Sequence, residues 1–394
     1  MGNRIFSGVW LWTALISAAF AIDPRDVPEQ AMLMAAEFGR VDLVAYAIDQ
    51  GADIDARDTR PARNTALMLA AKRGHTAVVR FLLRRGARVD ARSEDGWTAL
   101  MHAAHGGFDE VLEALIVAGA NLELREQKFG NTALILGAAR GHAGIVRKLN
   151  KAGANPGIAG SRHGNTALMQ AAAIPVGFGA VVELIAAGVD LNARAKDGWT
   201  ALMAASRRGI EPIVEVLLLN EAEVNLQTND GRTALTLAAQ GGHELSVGLL
   251  LDNQAHLDTY DTDGWSALGY AILGGHTPIV DRLLAAGADP EMPAGDDLPA
   301  VLLVARGGDS ELLRLLLEYH VNVNRADPMT GNTPLMLAAN RGAIRLVALL
   351  INAGADVNLR AKDGWTALEA ARMVGDTEIE GLLKEAGAID TPVF

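Results

Sequence analysis

NTALMLAAKRGHTAVVRFLLRRGARVDA, from Asn64 to Ala91, decides the fold. Thr65 stands where a helix N-cap is wanted, because its hydroxyl can accept from the unpaired N–H groups of a first turn. Behind it, Leu67, Ala70 and Ala71 give a short helix a face of small residues, which lets neighbours approach closely. Gly74-His75 breaks that helix. Val78, Val79, Leu82 and Leu83 then recur at the i, i+3, i+4 spacing of a second amphipathic helix. Gly86 suits the left-handed residue that ends such a helix, and Ala87 to Ala91 turns extended. Two helices this short cannot bury their own apolar faces, so the unit must stack on copies of itself.

Copies lie on both sides. DGWTALM opens at Asp95 and Asp197, DGWSAL at Asp263 and DGWTAL at Asp363. GNTALI, GNTALM and GNTPLM open at Gly130, Gly164 and Gly331. Taking the Thr or Ser as origin gives Thr65, Thr98, Thr132, Thr166, Thr200, Thr233, Ser266, Thr333 and Thr366. The spacings are 33 or 34 residues apart from one 67-residue gap, which Pro299 divides. Met32–Asp55 matches everything but the opening phrase. Eleven units thus occupy residues 29–390, preceded by a linker at 22–28 and followed by a tail at 391–394.

The chain of 394 residues is 50% hydrophobic and 21% charged, a folding composition rather than a disordered one. Its net charge of −12 argues against nucleic acid, which needs a basic footprint to displace counterions. It has no cysteine, so disulfides, thiolate metal sites and cysteine nucleophiles are excluded. Residues 1–21 read as an export signal: Arg4, an apolar stretch from Ile5 to Phe20, and the small-x-small end Ala19-Phe20-Ala21. Sixteen helical residues reach roughly 24 Å, short of the ~30 Å hydrocarbon core. A periplasmic or secreted protein with no stable membrane insertion after signal removal is expected, with an uncleaved N-terminal anchor as the alternative.

A tip, Thr-Ala/Pro-Leu, Ala-Ala-x-x-Gly-His, a Val-Val-x-x-Leu-Leu helix and Gly-Ala-Asp-Val-Asn together closely resemble the ankyrin repeat. The resemblance implies an all-α repeat solenoid of stacked helix-turn-helix units with β-hairpin fingers. It also implies a protein partner held on the concave face that fingers and inner helices make. One position departs from the family: its His three residues after the Thr is here Met68, Met101, Ile135, Met169, Met203, Thr236 or Met336. Apolar packing is expected there in place of a Thr–His relay.

Nothing in the sequence carries chemistry. It has no G-x-S-x-G, phosphate loop, H-E-x-x-H or zinc spacing, and no cofactor is implied. His75, His142, His243 and His276 share one repeat position and read as structural. His102 and His105 could share a helix face but lack an evident third ligand for a metal. The function expected is therefore a non-catalytic protein–protein interaction scaffold. The alternative is a small-ligand sensor or carrier with a pocket near 171–180 or 288–300, where the repeat is irregular.

Irregularities and strips locate the candidate surface. Two extra residues and a proline enter the first tip, Arg57–Asn64, and one extra residue enters the tips at 127–129, 161–163 and 327–329. Ile174–Gly179 lengthens the break between two helices, and the Pro299 unit is expected to have lost its tip to an acidic loop, Glu291–Asp297. Phe129 and Phe178 stand out as apolar residues in loops. Inner-helix ends carry Lys72, Arg73, Arg140, Arg207, Arg208, Arg306 and Arg341, which also suits the negative end of a helix dipole. The residue before the Thr is Trp97, Trp199, Trp265 or Trp365. Trp199, Arg232 and Trp265 fall on three successive tips with Arg207 and Arg208 below the first, and these five form the expected docking site for an acidic surface of the partner. Most second helices end in Gly, but Glu221, Gln254 and His320 take that place in three units, with Asn220 and Asn253 able to move the turn one residue earlier.

Overall fold

The computed structural model describes residues 27–389. The expected signal at 1–21 and tail at 391–394 lie outside the described residues. The chain divides between Lys196 and Asp197 into two compact units.

In the first unit, five helix pairs follow one another: Val27–Glu37 with Val41–Asp49, Ala66–Arg73 with Thr76–Arg84, Ala99–Gly106 with Asp109–Val117, Ala133–Ala138 with Ala143–Lys151, and Ala167–Ala172 with Phe178–Ala186. First helices pack on first helices and second on second. The opening helix starts inside the expected linker, because Pro28 sits in its first turn, where a missing N–H costs nothing. The break at 174–179 is taken up by a 3-10 turn, Pro175–Gly177, leading into the next helix.

The second unit contains six pairs, with first helices Ala201–Arg208, Ala234–Gln240, Ala267–Leu273, Ala300–Gly307, Pro334–Arg341 and Ala367–Val374. Their partners are Glu211–Leu219, Glu244–Asp252, Thr277–Ala285, Ser310–Glu318, Ile344–Asn352 and Thr377–Glu385. In both units the Thr caps its helix: Thr98 Oγ1 accepts from the Met101 amide at 3.2 Å and Thr200 Oγ1 from that of Met203 at 3.3 Å. Met68, Met101, Ile135 and Met203 are buried and fill the core at the position where the family places a His.

Tips are mostly tight turns rather than paired strands. They are tied to one another by backbone bonds, such as Gln127 N–H to Asp95 O in the first unit and Thr262 N–H to Asp230 O in the second. The expectation that the Pro299 unit lacks a tip is corrected. Residues Pro293–Gly295 and Leu298–Pro299 pair antiparallel around Asp296 and Asp297, whose φ values of 49° and 57° suit a two-residue hairpin turn. This hairpin is clamped to the preceding unit. Ala294 O accepts from the Ser266 amide at 3.0 Å and sits where a Cβ on Gly269 would be, and the Gly295 backbone lies against the Trp265 ring. Only residues without a Cβ allow either approach.

All five second helices of the first unit end on a left-handed glycine, Gly51, Gly86, Gly119, Gly153 and Gly188. In the second unit Gly287, Gly354 and Gly387 do the same, but three helices keep the turn without glycine: Glu221, Gln254 and His320 take φ of 64°, 62° and 57°. Asn220 and Asn253 do not move the turn, since both have φ of −101°. Each instead donates from Nδ2 to the carbonyl four residues back, Val216 O and Leu249 O.

Candidate binding face

In each unit the tips and the ends of the first helices share one face. A tip tryptophan and the residue eight positions later meet there. Trp97 lies edge-on to His105, with centroids 5.5 Å apart, and the Arg207 guanidinium stands 5.3 Å over Trp199. The spacing follows from the cap: Trp precedes the Thr, and two turns of helix bring the eighth residue back beside it.

Among the five expected site residues, the structure joins them into two groups. Trp199 and Arg207 stack as described, with Arg208 exposed beside them. Arg232 and Trp265 belong to a second network centred on Asp261, whose side chain is 1% exposed. Asp261 accepts from the Trp265 amide at 2.9 Å, from the Asp263 amide at 3.1 Å and from the Tyr270 hydroxyl. Arg232 Nε lies 3.3 Å from Asp230 and 3.6 Å from Asp261, while its guanidinium stands 6.0 Å over the Tyr270 ring. Burial, with the hydrogen bond to Asp261 and that carboxylate's charge, pushes the Tyr270 hydroxyl up to about 12. No hydrogen bond, ion pair or ring contact between side chains links the two groups among the described residues.

Along the basic strip, Arg73 is paired with Glu37 at 2.9 Å and Arg306 with Asp296 at 2.6 Å. Arg140 is held differently. Its Nε and Nη2 lie 3.0 and 2.8 Å from Nε2 of His105, 35 residues earlier. Arginine has only donors, so Nε2 accepts and His105 is neutral. Burial, then the charges of Arg140, His142 and Lys72, hold the His105 pKa below the usual histidine value.

Arg140 and His105 form part of an open cleft of about 800 Å³ whose walls include Trp97, Glu126, Lys128 and Phe129. Glu126 is spent on the tip, accepting from the amides of Lys128, Phe129 and Asn131 at 2.6 to 3.0 Å. Phe129 has Lys128 Nζ at 5.0 Å and Arg162 at 5.6 Å from its ring, and His163 at 6.2 Å. On its other side a smaller cleft of about 240 Å³ reaches Asn131, His163 and Gln170. The extra tip residues that place Phe129 and His163 were visible as insertions; the cleft they build was not. His102 packs on Trp97 at 4.9 Å with Nε2 shut off from solvent and unpartnered, and burial pushes its pKa down to about 3.

His75, His142 and His243 each reach the preceding unit, Nε2 lying 2.9, 3.2 and 3.0 Å from the carbonyls of Glu37, His105 and Arg207. Among the described residues no group of three His, Asp or Glu is placed to hold a metal, and no helix is long and apolar enough to cross a membrane.

A family model described as Ankyrin repeats (3 copies) matches residues 31–126, 107–192, 134–228, 173–261, 202–294 and 301–391. The chain belongs to the ankyrin-repeat family. This ankyrin array is similar to Ankyrin repeat and SAM domain-containing protein 6 of Rattus norvegicus, 40% identical over 86 residues, 22% of this chain. It is also similar to Glycerophosphocholine phosphodiesterase gde1 of Schizosaccharomyces pombe, 32% over 116 residues, 29% of the chain. Nuclear factor NF-kappa-B p105 subunit of Gallus gallus matches at 35% over 95 residues, 24% of the chain. The matched segment spans 10% of the length of each of these three relatives. Ankyrin repeats generally mediate protein–protein interaction, and that general role is what this chain shares with its family.

Proposed function

We propose that this ankyrin array is a non-catalytic scaffold that holds a protein partner on the concave face made by tips and inner helices. The observation that carries the reading is the repeated pairing of a half-buried tip tryptophan with a polar residue at the end of the same helix, seen in both units. Flat rings fixed on one side and open on the other supply large contact area at little entropic cost, and neighbouring cations supply direction. In the second unit the contact surface is Trp199, Arg207 and Arg208, while Arg232 and Trp265 are held separately in the Asp261 network. An acidic patch on the partner complements it. The apolar stretch Ile5–Phe20 supports an exported, periplasmic or secreted place of action.

Affinity capture with the full chain tests this. Arg207→Glu with Arg208→Glu should abolish recovery of the partner while leaving the melting temperature unchanged. Undiminished recovery would contradict the reading.

A further inference from the structure

We infer that the cleft between Trp97 and Phe129 is a carboxylate-reading site, which takes an acidic peptide segment carrying a flat apolar side chain. The inference rests on the scaffold reading above and names the chemistry of what the first unit holds.

Three observations carry it. First, Arg140 is aimed without being neutralised. His105 takes the edge of the guanidinium formed by Nε and Nη2. The opposite edge, formed by Nη1 and the remaining Nη2 hydrogen, is left to bind a carboxylate in a two-point fork. A neutral imidazole orients this arginine at no cost in charge, whereas a carboxylate in its place would cancel what the ligand must feel. Second, Lys128 and Arg162 flank Phe129 at 5.0 and 5.6 Å, and neither they nor Arg140 is ion-paired among the described residues. Third, Trp97 and Phe129 present two aromatic surfaces to the same cleft of about 800 Å³, room enough for one large side chain with the backbone on either side of it.

Charge complementarity separates a peptide from a nucleic acid. Asp95 and Glu126 line the cleft together with the separate cations of Lys128 and Arg140. Such a site suits discrete carboxylates set against single cations and repels a continuous row of phosphates.

The test is fluorescence anisotropy of the full chain with fluorescein-labelled acetyl-Glu-Glu-Phe-Glu-Glu-amide at neutral pH and low salt. The expected Kd is below about 1 mM, weakened about tenfold by Arg140→Gln or Phe129→Ala with melting unchanged. Arg140→Lys should recover only part of the loss, because a point charge cannot fork. Lys128→Gln serves as a second variant outside the helices. The inference is overturned if the peptide does not bind, if its Gln-for-Glu or Lys-for-Glu versions bind equally, if neither Arg140→Gln nor Phe129→Ala weakens binding, or if a labelled single-stranded oligonucleotide binds more tightly. Partner capture that depends on Arg207 and Arg208 while the peptide fails to bind would overturn this site alone and leave the scaffold reading standing.

Discussion

Arg140 in the first unit and Arg232 in the second each lie on the tip-and-first-helix face of their own unit, yet what holds each one still is opposite in kind. Arg232 is ion-paired at 3.3 and 3.6 Å with two carboxylates, Asp230 and the buried Asp261, without a hydrogen bond from Nε, so its charge is balanced within the fold. Arg140 is fixed by a neutral ring nitrogen, so its direction is set and its charge remains. A cation held by a buried acid supports structure; a cation held by a neutral acceptor is poised for something outside the chain. The distinction lies in the partner of the arginine and is invisible in the arginine itself.

Removing the anchor on the structural side should have the largest effect. Asp261→Ala strands the Tyr270 hydroxyl and the Trp265 amide, leaves Arg232 with Asp230 alone, and should destabilise the second unit by about 3 kcal/mol in urea unfolding. A change within about 0.5 kcal/mol would mean that Asp261 is solvated rather than structural, and the contrast with Arg140 would collapse.

The two regions should also fail at opposite ends of the pH scale. The folded pKa of His102 is pushed below its unfolded value to about 3, so the unfolded chain binds the extra proton first. The stabilising neutral form is complete above pH ~6.5 and is lost progressively as pH falls toward 3, about 2 kcal/mol at pH 5. His102→Leu, the residue that Leu69 and Leu136 supply at the same repeat position, should flatten that slope. Tyr270 runs the other way. Its folded pKa is raised to about 12, so the folded chain keeps a proton that the unfolded chain loses above ~10. Stability should therefore fall by about 1 kcal/mol by pH 11, and Tyr270→Phe should remove that dependence. Urea midpoints across pH check both; an acid slope unaltered by His102→Leu would exclude the buried-imidazole cause.

Helix ends give the smallest step. Glu221→Gly, Gln254→Gly and His320→Gly each relieve a left-handed non-glycine residue and should stabilise by about 0.5–1 kcal/mol. Hydrogen exchange should show residues 220–320 opening before residues 66–188, where every second helix ends on glycine. Equal protection in both stretches would show that packing overrides the turn.

The repeat was legible because its signals recur in register. Thr65 and its counterparts cap, the paired alanines permit close stacking, and the helix-ending glycines mark each boundary. The missing glycine pointed to a left-handed residue at His320, and at Glu221 and Gln254 it left open a turn shifted to Asn220 and Asn253, which their φ of −101° excludes. What stayed hidden depends on neighbours one unit away. His105 reads from the sequence as a helix-face companion of His102 and Arg140 as one cation of the helix-end strip, and only stacking brings His105 and Arg140 within 3.0 Å. Phe129 appeared as an apolar residue in an insertion, with nothing to say that two cations and a histidine would gather round it. Nothing in the sequence marks Asp261, since what makes it an anchor is its contact with Tyr270 and Trp265. The Pro299 unit seemed to lack a tip because its hairpin carries no repeat phrase, although Gly269 in place of the usual Met marked where the Ala294 carbonyl would enter.

The most direct test is the shift in melting temperature when the acidic peptide is added to three full-length chains: the natural sequence, Arg140→Gln and Arg232→Gln. We expect the natural chain to melt higher with peptide. Arg232→Gln should start lower, by the several degrees that about 2 kcal/mol represents, yet gain the same increment. Arg140→Gln should start where the natural chain does and gain nothing. The reverse pattern, with Arg140→Gln lowering the starting temperature and Arg232→Gln abolishing the increment, would contradict the division between a binding arginine and a structural one.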